Sequence, residues 1–282
     1  MGPNHRTEYR TDRKVTWCPG CGDFGVLEAV CEAFSRTGMD PAQTVLVTGN
    51  GCSSMIGFFV KTYAVHGLHG RALPIAWGVK LANPSLKVIV AGGDGDAFAV
   101  GAGHLVHIAR KNPDLTYLIM DNGCYGLTRG QASPTARRGG MAEANGAGQP
   151  INPLAFLITA GATFVAQGYS EDPQSLTPLI GQALNHRGFG VVNILSPCPT
   201  FNRQDERPFY RPEVVYINAA SHPVQDRLEA LRLAMTEDDR RRVGVFYQKN
   251  RGVPDEGPHD AEKEENRDDP TRLEEIMDGL KP

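Results

Sequence analysis

The sequence predicts an α/β protein built on a doubly wound, mostly parallel sheet. Three observations carry this. Continuous apolar runs recur, as in strands covered on both faces: Thr44–Thr48, Leu86–Ala91, Leu115–Met120, Ala162–Ala166 and Val191–Leu195. Helical spacing fills several of the gaps between them. Glycine-rich, polar turns follow the runs, where ligands gather in such sheets.

The elements follow in order. Met1 to Lys14 is polar and basic and reads as an arm, residues 1–16. Trp17-Cys-Pro-Gly-Cys-Gly22 precedes a helix with apolar positions Phe24, Leu27, Val30, Cys31 and Phe34. The Thr44–Thr48 strand runs into Gly49-Asn-Gly-Cys-Ser-Ser54, and Leu86–Ala91 into Gly92-Gly-Asp-Gly-Asp96. Ala97 to Arg110 reads as a helix, and Leu115–Met120 ends at Asp121-Asn122-Gly123. Pro178 to Arg187 reads as a helix between the last two strands. The main domain is set at 17–220. Residues 221–282 are read as a helix around Asp226–Met235 and an irregular acidic tail from Arg251.

Composition narrows the classes. The 282 residues are 40% hydrophobic and 22% charged, which suits a chain with a buried core. A net charge of −3 gives no support to nucleic-acid binding. No apolar run is long enough for a membrane span, and the N-terminus lacks a signal-peptide core. A cytoplasmic, membrane-free protein is expected. Six cysteines in a reducing compartment then point to metal ligands, catalytic thiols or small core residues rather than disulfides. Cys31, on an apolar helical face, is expected in the core.

Gly93-Asp94-Gly95 ends a strand and opens a helix, and Asn122 ends the next strand, with 26 residues between Gly95 and Asn122. One βαβ step returns the chain beside its start, so Asp94 and Asn122 can share one ion. Oxygen ligands suit a hard divalent cation that also holds phosphate. The helix N-terminus at Asp96-Ala97 adds N–H groups for an anion. The cysteines allow more than one chemistry. Cys18-Pro-Gly-Cys21, Cys52 and Cys198 lie in loops at one sheet edge, and four thiolates fit zinc or an iron–sulfur cluster equally well.

WCPGCG, GNGCSS, HGLHGRALPIAWGVKLANP, GGDGDAFAVGAGHLVHIARKNPDLTYLIMDN, YGLTRGQASPT and SPCPTFN occur in this order from Trp17 to Asn202. Together they resemble the β subunit of 2-oxoacid:ferredoxin oxidoreductases, including the 2-oxoglutarate type. The resemblance implies a thiamine-diphosphate-binding fold and an iron–sulfur domain over 17–220. It implies magnesium held by Asp94, Asn122 and the main chain of Cys124, and a [4Fe–4S] cluster held by Cys18, Cys21, Cys52 and Cys198. The cofactor cradle implied is Gly20, Ser53, Ser54, His69, Gly93, Asp94, Gly95, Asp96, Ala97, Asn122, Cys124, Tyr125, Gly126, Leu127 and Thr128. His69 is the catalytic candidate, to orient the diphosphate or shuttle a proton; His66 and Arg71 stand nearby.

The resemblance also implies an α subunit that completes the site, in an αβ dimer or an (αβ)2 assembly. A 2-oxoacid and coenzyme A then give acyl-CoA and CO2, with single electrons passed to ferredoxin, or the reverse. Substrate contacts are expected from Arg129 and Met55. Arg129 suits the distal carboxylate of 2-oxoglutarate, giving succinyl-CoA, whereas Met55 stands where relatives carry a base. The alternatives are the same chemistry on pyruvate or a range of 2-oxoacids, a stand-alone thiamine decarboxylase or synthase, and a zinc-stabilised non-catalytic binding module.

Overall fold

The computed structural model describes residues 8–137, 148–202, 213–218, 222–238 and 240–253. Its frame is an eight-stranded sheet. Four strands coincide closely with apolar runs: β1 (Thr44–Thr48), β3 (Lys87–Gly93), β4 (Leu115–Asp121) and β8 (Phe189–Leu195). A fifth, β7 (Phe164–Tyr169), starts two residues later than its run. With β2 (Tyr63–His66), β9 (Val214–Tyr216) and β10 (Arg241–Gln248), the order is β2-β1-β3-β4-β8-β7-β10-β9. All neighbouring pairs are parallel except β7 with β10. A short hairpin joins β5 (Cys124–Tyr125) to β6 (Gln131–Ala132).

Side-chain alternation splits each strand between two cores. Leu46, Ile89, Ala91 and Leu118 feed the face covered by α1 (Asp23–Thr37). Val45, Val47, Val88 and Val90 feed the other, covered by α2 (Ala72–Ala82), α3 (Ala102–Lys111) and α4 (Pro153–Ala160). Burial on both sides is why the strands read as unbroken apolar runs. The next helix, α5 (Pro173–Asn185), packs with α1, and α6 (Arg227–Ala234) with α4. Each of these last two, like α4, starts at a side-chain cap: Asn152, Asp172 or Asp226.

Several elements depart from the sequence expectation. The helix expected at Pro178 starts at Pro173, whose ring fits the first turn, and Pro178 is accommodated inside it. The helix expected over Ala97–Arg110 is two pieces: a wide turn at Asp96–Val100, then α3. The arm, expected as polar, packs on the sheet domain. Tyr9 is buried and donates its hydroxyl to Met39 O at 2.8 Å, and Arg10 bridges Val60. Cys31 lies in the core. Within 221–282, β10 hydrogen-bonds to β7 in the main sheet. The acidic stretch from residue 254 onward lies outside the described residues. Among the described residues, no helix is long and apolar enough to cross a membrane.

His186 closes α5 and is buried, its Nε2 2.8 Å from Thr163 Oγ1. Burial pushes its pKa below 6.5; the Asp114 carboxylate opposes this shift and Lys87 reinforces it. A depressed histidine contributes stability above its unfolded pKa and loses it as pH falls toward the folded value. The melting temperature of His186→Gln relative to the unsubstituted chain should therefore rise as pH is lowered from 7 to 5.5. Parallel melting curves for the two proteins would remove this role.

Candidate functional site

The carboxyl ends of β1, β3 and β4 open into a cavity of about 270 Å³. It is lined by the loop after β1 (Asn50, Gly51, Cys52, Ser53), by His69, by Gly93–Asp96, and by Asn122 with Cys124–Thr128. The chain topology explains the convergence, because parallel neighbours release their following loops at one edge. A wider cleft of about 940 Å³ opens elsewhere, between α5 and residues 248–253, and is lined by none of the motif residues.

Asp94 is fully buried at the floor. Ser133 Oγ donates to its Oδ2, Thr135 Oγ1 lies 2.6 Å from the same oxygen, and the Asn122 backbone N–H reaches the carboxylate. Thr135 Oγ1 is also 2.7 Å from Asp121 Oδ1. A threonine hydroxyl carries one hydrogen and cannot serve both acceptors. Two buried carboxylates therefore face each other across one hydroxyl. Burial, reinforced by the Asp121 charge, pushes Asp94 up to about 7. A cation at this point relieves both effects, and the donors on offer are oxygens.

Asp96 does different work. Its Oδ1 accepts from Gly70 N at 2.8 Å and Asn50 N at 3.1 Å, tying two loops to the end of β3. Burial raises its pKa, while these N–H groups and His69 oppose the rise. Gly49 passes so close that a Cβ there would sit 2.1 Å from Asp96 Oδ2. Gly95 lies under the Tyr125 ring, 2.2 Å from Cε1 by the same test. His69 Nδ1 faces two acceptors, Asp96 Oδ1 at 3.0 Å and Asn50 O at 3.2 Å. Nδ1 therefore carries the hydrogen.

Beside this cavity the cysteine loops meet. Cys52 interacts electrostatically with Cys18 and Cys198, and Cys21 with Cys52 and Cys198. The N-terminal loop is held there by Gly22 N to Pro197 O at 3.0 Å and Ser196 Oγ to Asp23 Oδ1 at 2.7 Å. Burial raises the Cys21 thiol, and pushes Cys52 up to about 11. Cys198 goes the other way. A hydrogen bond with the Cys124 thiol, helped against burial by the backbone N–H groups of Phe201, Thr200 and Asn202, brings it down to about 6. Among the described residues, no three His, Cys, Asp or Glu side chains stand close enough to share one metal ion.

Residues 49–194 match the family model described as "Thiamine pyrophosphate enzyme, C-terminal TPP binding domain". Residues 198–260 match the model for the C-terminal region of the pyruvate ferredoxin oxidoreductase beta subunit. The chain is 43% identical over 247 residues to the 2-oxoacid:ferredoxin oxidoreductase subunit beta of Saccharolobus solfataricus, covering 82% of this chain and 81% of that one. This chain belongs to the β subunits of the 2-oxoacid:ferredoxin oxidoreductases. It is also 39% identical over 203 residues to the 2-oxoglutarate oxidoreductase subunit KorB of Mycobacterium tuberculosis, covering 71% of this chain and 54% of that one. Among solved structures it resembles the 2-oxoglutarate:ferredoxin oxidoreductase from Magnetococcus marinus with 2-oxoglutarate, coenzyme A and succinyl-CoA bound. That match has a TM-score of 0.87 and 40% identity, over 100% of this chain and 98% of that chain.

In this β subunit most of the expected cradle shares the cavity wall: Ser53, His69, Gly93–Asp96, Asn122 and Cys124–Thr128, with the expected cluster ligand Cys52 beside them. The others stand off it. Ser54 and Ala97 are buried behind the wall, and Gly20 turns beside Pro199 with φ +79°. Met55 packs against the core under α1. Arg129 sits in an exposed turn just past Thr128, with φ +75°. His66, on the outer strand β2, bonds Thr48 at the end of β1 and does not line the wall, and Arg71 is exposed before α2. Sequence reasoning missed Asn50 and Gly51 in the wall, the Ser133–Thr135 strap, and Asn202, which donates to Asn122 O at 2.8 Å. The strap lies inside the quoted YGLTRGQASPT, yet nothing in that run marks its hydroxyls as partners of Asp94.

The clamp gives a stability test. Asp96→Ala strands two backbone N–H groups and should cost about 2–4 kcal/mol in urea unfolding. Asp96→Asn keeps an acceptor and should cost clearly less. Equal losses would show that charge, rather than the shared acceptor, holds the loops.

Proposed function

We propose that this β subunit, with a partner α subunit, carries out coenzyme-A-dependent oxidative decarboxylation of a 2-oxoacid, with 2-oxoglutarate its preferred substrate. The products are succinyl-CoA and CO2, with two electrons passed singly to ferredoxin; strongly reduced ferredoxin drives the reverse. The observation that carries the reading is the meeting of the Asp94–Asn122 pair with the four-cysteine ring at one edge of the sheet.

Both implied centres fit the residues present. Asp94 and Asn122, with the Cys124 carbonyl, would hold Mg2+, whose charge offsets the buried Asp94–Asp121 pair. Gly93 and the turn at Asp96 border the cavity, where their backbone N–H groups would face a diphosphate. Cys18, Cys21, Cys52 and Cys198 would hold a [4Fe–4S] cluster. Bound there, thiamine diphosphate supplies an electron sink for loss of CO2, and the cluster a one-electron store.

The chain's own residues do the positioning. Ser133 and Thr135 orient the Asp94 carboxylate. Asp96 fixes His69 with its hydrogen on Nδ1, leaving Nε2 as the acceptor for a proton at the cavity wall. Arg129, at the outer end of the lining turn, supplies the charge for a distal carboxylate on a substrate seated between the subunits. The free thiols accord with a reducing cytoplasm.

The test is the complex with its partner subunit, purified without oxygen. About four irons per β chain are expected, with methyl viologen reduced by 2-oxoglutarate only when coenzyme A is present. Asp94→Ala should retain the iron and lose thiamine diphosphate. One zinc per chain and no colour would overturn the reading.

Substrate preference has its own measurement. Arg129→Ala should lower kcat/KM for 2-oxoglutarate roughly 10- to 100-fold, as expected for a lost charge-assisted contact, and leave pyruvate unaffected. An unchanged ratio removes the assignment of 2-oxoglutarate to Arg129.

A further inference from the structure

The tip of the β5–β6 hairpin holds a backbone outlier beside the cavity. Among the described residues, two that are not glycine have positive φ, Asn112 at 58° and Arg129 at 75°. Asn112 ends α3, where asparagine commonly takes this conformation. Arg129 has no such explanation. Its Cβ crowds the backbone there, and an arginine lacks the short polar side chain that makes the conformation tolerable in Asn or Asp. A residue held against that preference needs neighbours that fix it, and such positions gather at functional sites.

Both peptide units that flank the Arg129 Cα are pinned. Arg129 N donates to Gly126 O at 3.0 Å, and Gly130 N to Tyr125 O at 2.9 Å. The carbonyl of the first unit, Thr128 O, accepts from Gln131 Nε2 at 3.0 Å. The same glutamine receives the Thr128 hydroxyl on its Oε1. One side chain therefore grips Thr128 by main chain and side chain at once. Gln131 does this from a fixed place, because it pairs with Tyr125 in the hairpin. Behind the tip, Phe201 abuts Gly130: a Cβ on that glycine would stand 3.4 Å from the Phe201 Cβ.

Thr128 lines the cavity, and Arg129 follows it at the exposed end of the turn. Holding the Thr128 carbonyl fixes the peptide plane from which the Arg129 side chain departs. With the next plane also fixed, the direction in which the arginine leaves the backbone is set. A long exposed side chain otherwise loses rotamer freedom when it binds, and prior orientation lowers that cost.

We propose that Gln131 is a positioning residue for substrate selection. Its amide holds the Thr128–Arg129 peptide so that Arg129 presents its guanidinium to a dicarboxylic 2-oxoacid. This rests on the proposed reading of Arg129 as the contact for the distal carboxylate. A monocarboxylic 2-oxoacid has no second carboxylate and gains nothing from the grip.

The test uses the anaerobic complex with its partner subunit. Gln131→Ala should raise KM for 2-oxoglutarate roughly 3- to 10-fold, as expected for lost hydrogen bonds between neutral groups. Its kcat and its kinetics with pyruvate should stay as in the unsubstituted complex, and amide hydrogen exchange should quicken at residues 126–130. Gln131→Met fills similar space without the hydrogen bonds and should match Gln131→Ala. In an Arg129→Ala background, Gln131→Ala should cost nothing more, because the two act through one contact. An unchanged KM for 2-oxoglutarate in Gln131→Ala, where Arg129→Ala raises it, overturns the positioning role. Equal losses with 2-oxoglutarate and pyruvate do the same and leave Gln131 a general support of the wall. Absence of any effect of Arg129→Ala itself instead overturns the reading of Arg129.

Discussion

Buried carboxylates at the ends of two adjacent parallel strands are the constraint around which this protein is built. Asp94, Asp96 and Asp121 all lie in or beside the floor of the cavity, and all are out of water. Unmatched buried charge is expensive, so donors must be brought to it. The loop after β1 brings the Asn50 N–H, and the turn before α2 brings Gly70 and His69. The strap after the hairpin brings Ser133 and Thr135. From deeper in the sheet, Asn193 on β8 donates to Asp121 at 3.1 Å and to Gln167 on β7 at 3.1 Å. A polar row thus crosses three strands that are otherwise apolar. The cavity is the space left between loops gathered for this purpose.

The cysteine ring depends on the same arrangement. Cys52 rides on the loop that Asp96 holds, and Cys198 follows the strand beside Asp121. Ser196 N donates to Asp121 O at 2.8 Å, so the Cys198 loop leaves the sheet at a fixed height. The two proposed centres are not separate modules set side by side. They share β4, its hairpin and the carboxylates beneath.

What the sequence makes legible is what one strand or one helix encodes alone. β1, β3, β4 and β8 show as apolar runs because both of their faces are buried. The Asp94 to Asn122 spacing shows because it spans one βαβ step. β2 is exposed along its whole length, and β10 opens with two arginines, so neither has that signature. α2 and α4 are apolar nearly all round and lack a helical period. Ser133 and Thr135 reach Asp94 through a loop whose path no local pattern records. Met55 and Arg129 entered through resemblance rather than geometry. They stand outside the cavity wall because the wall is built from strand ends and their immediate turns.

The link between Ser196 and Asp23 joins residues 173 positions apart, at the mouth of α1. During synthesis, Cys18, Cys21 and Cys52 leave the ribosome long before Cys198. The segment that presents the first two is tied to the Cys52 loop by Trp17 Nε1 to Cys52 O at 2.7 Å, but gains the Ser196 clasp only when β8 has been made. The fourth thiol and the clasp that orders the first pair arrive together, in Ser196-Pro-Cys198. Completion of the ring is in this way tied to completion of the sheet, and a chain truncated before β8 lacks both the fourth thiol and the Asp23 clasp.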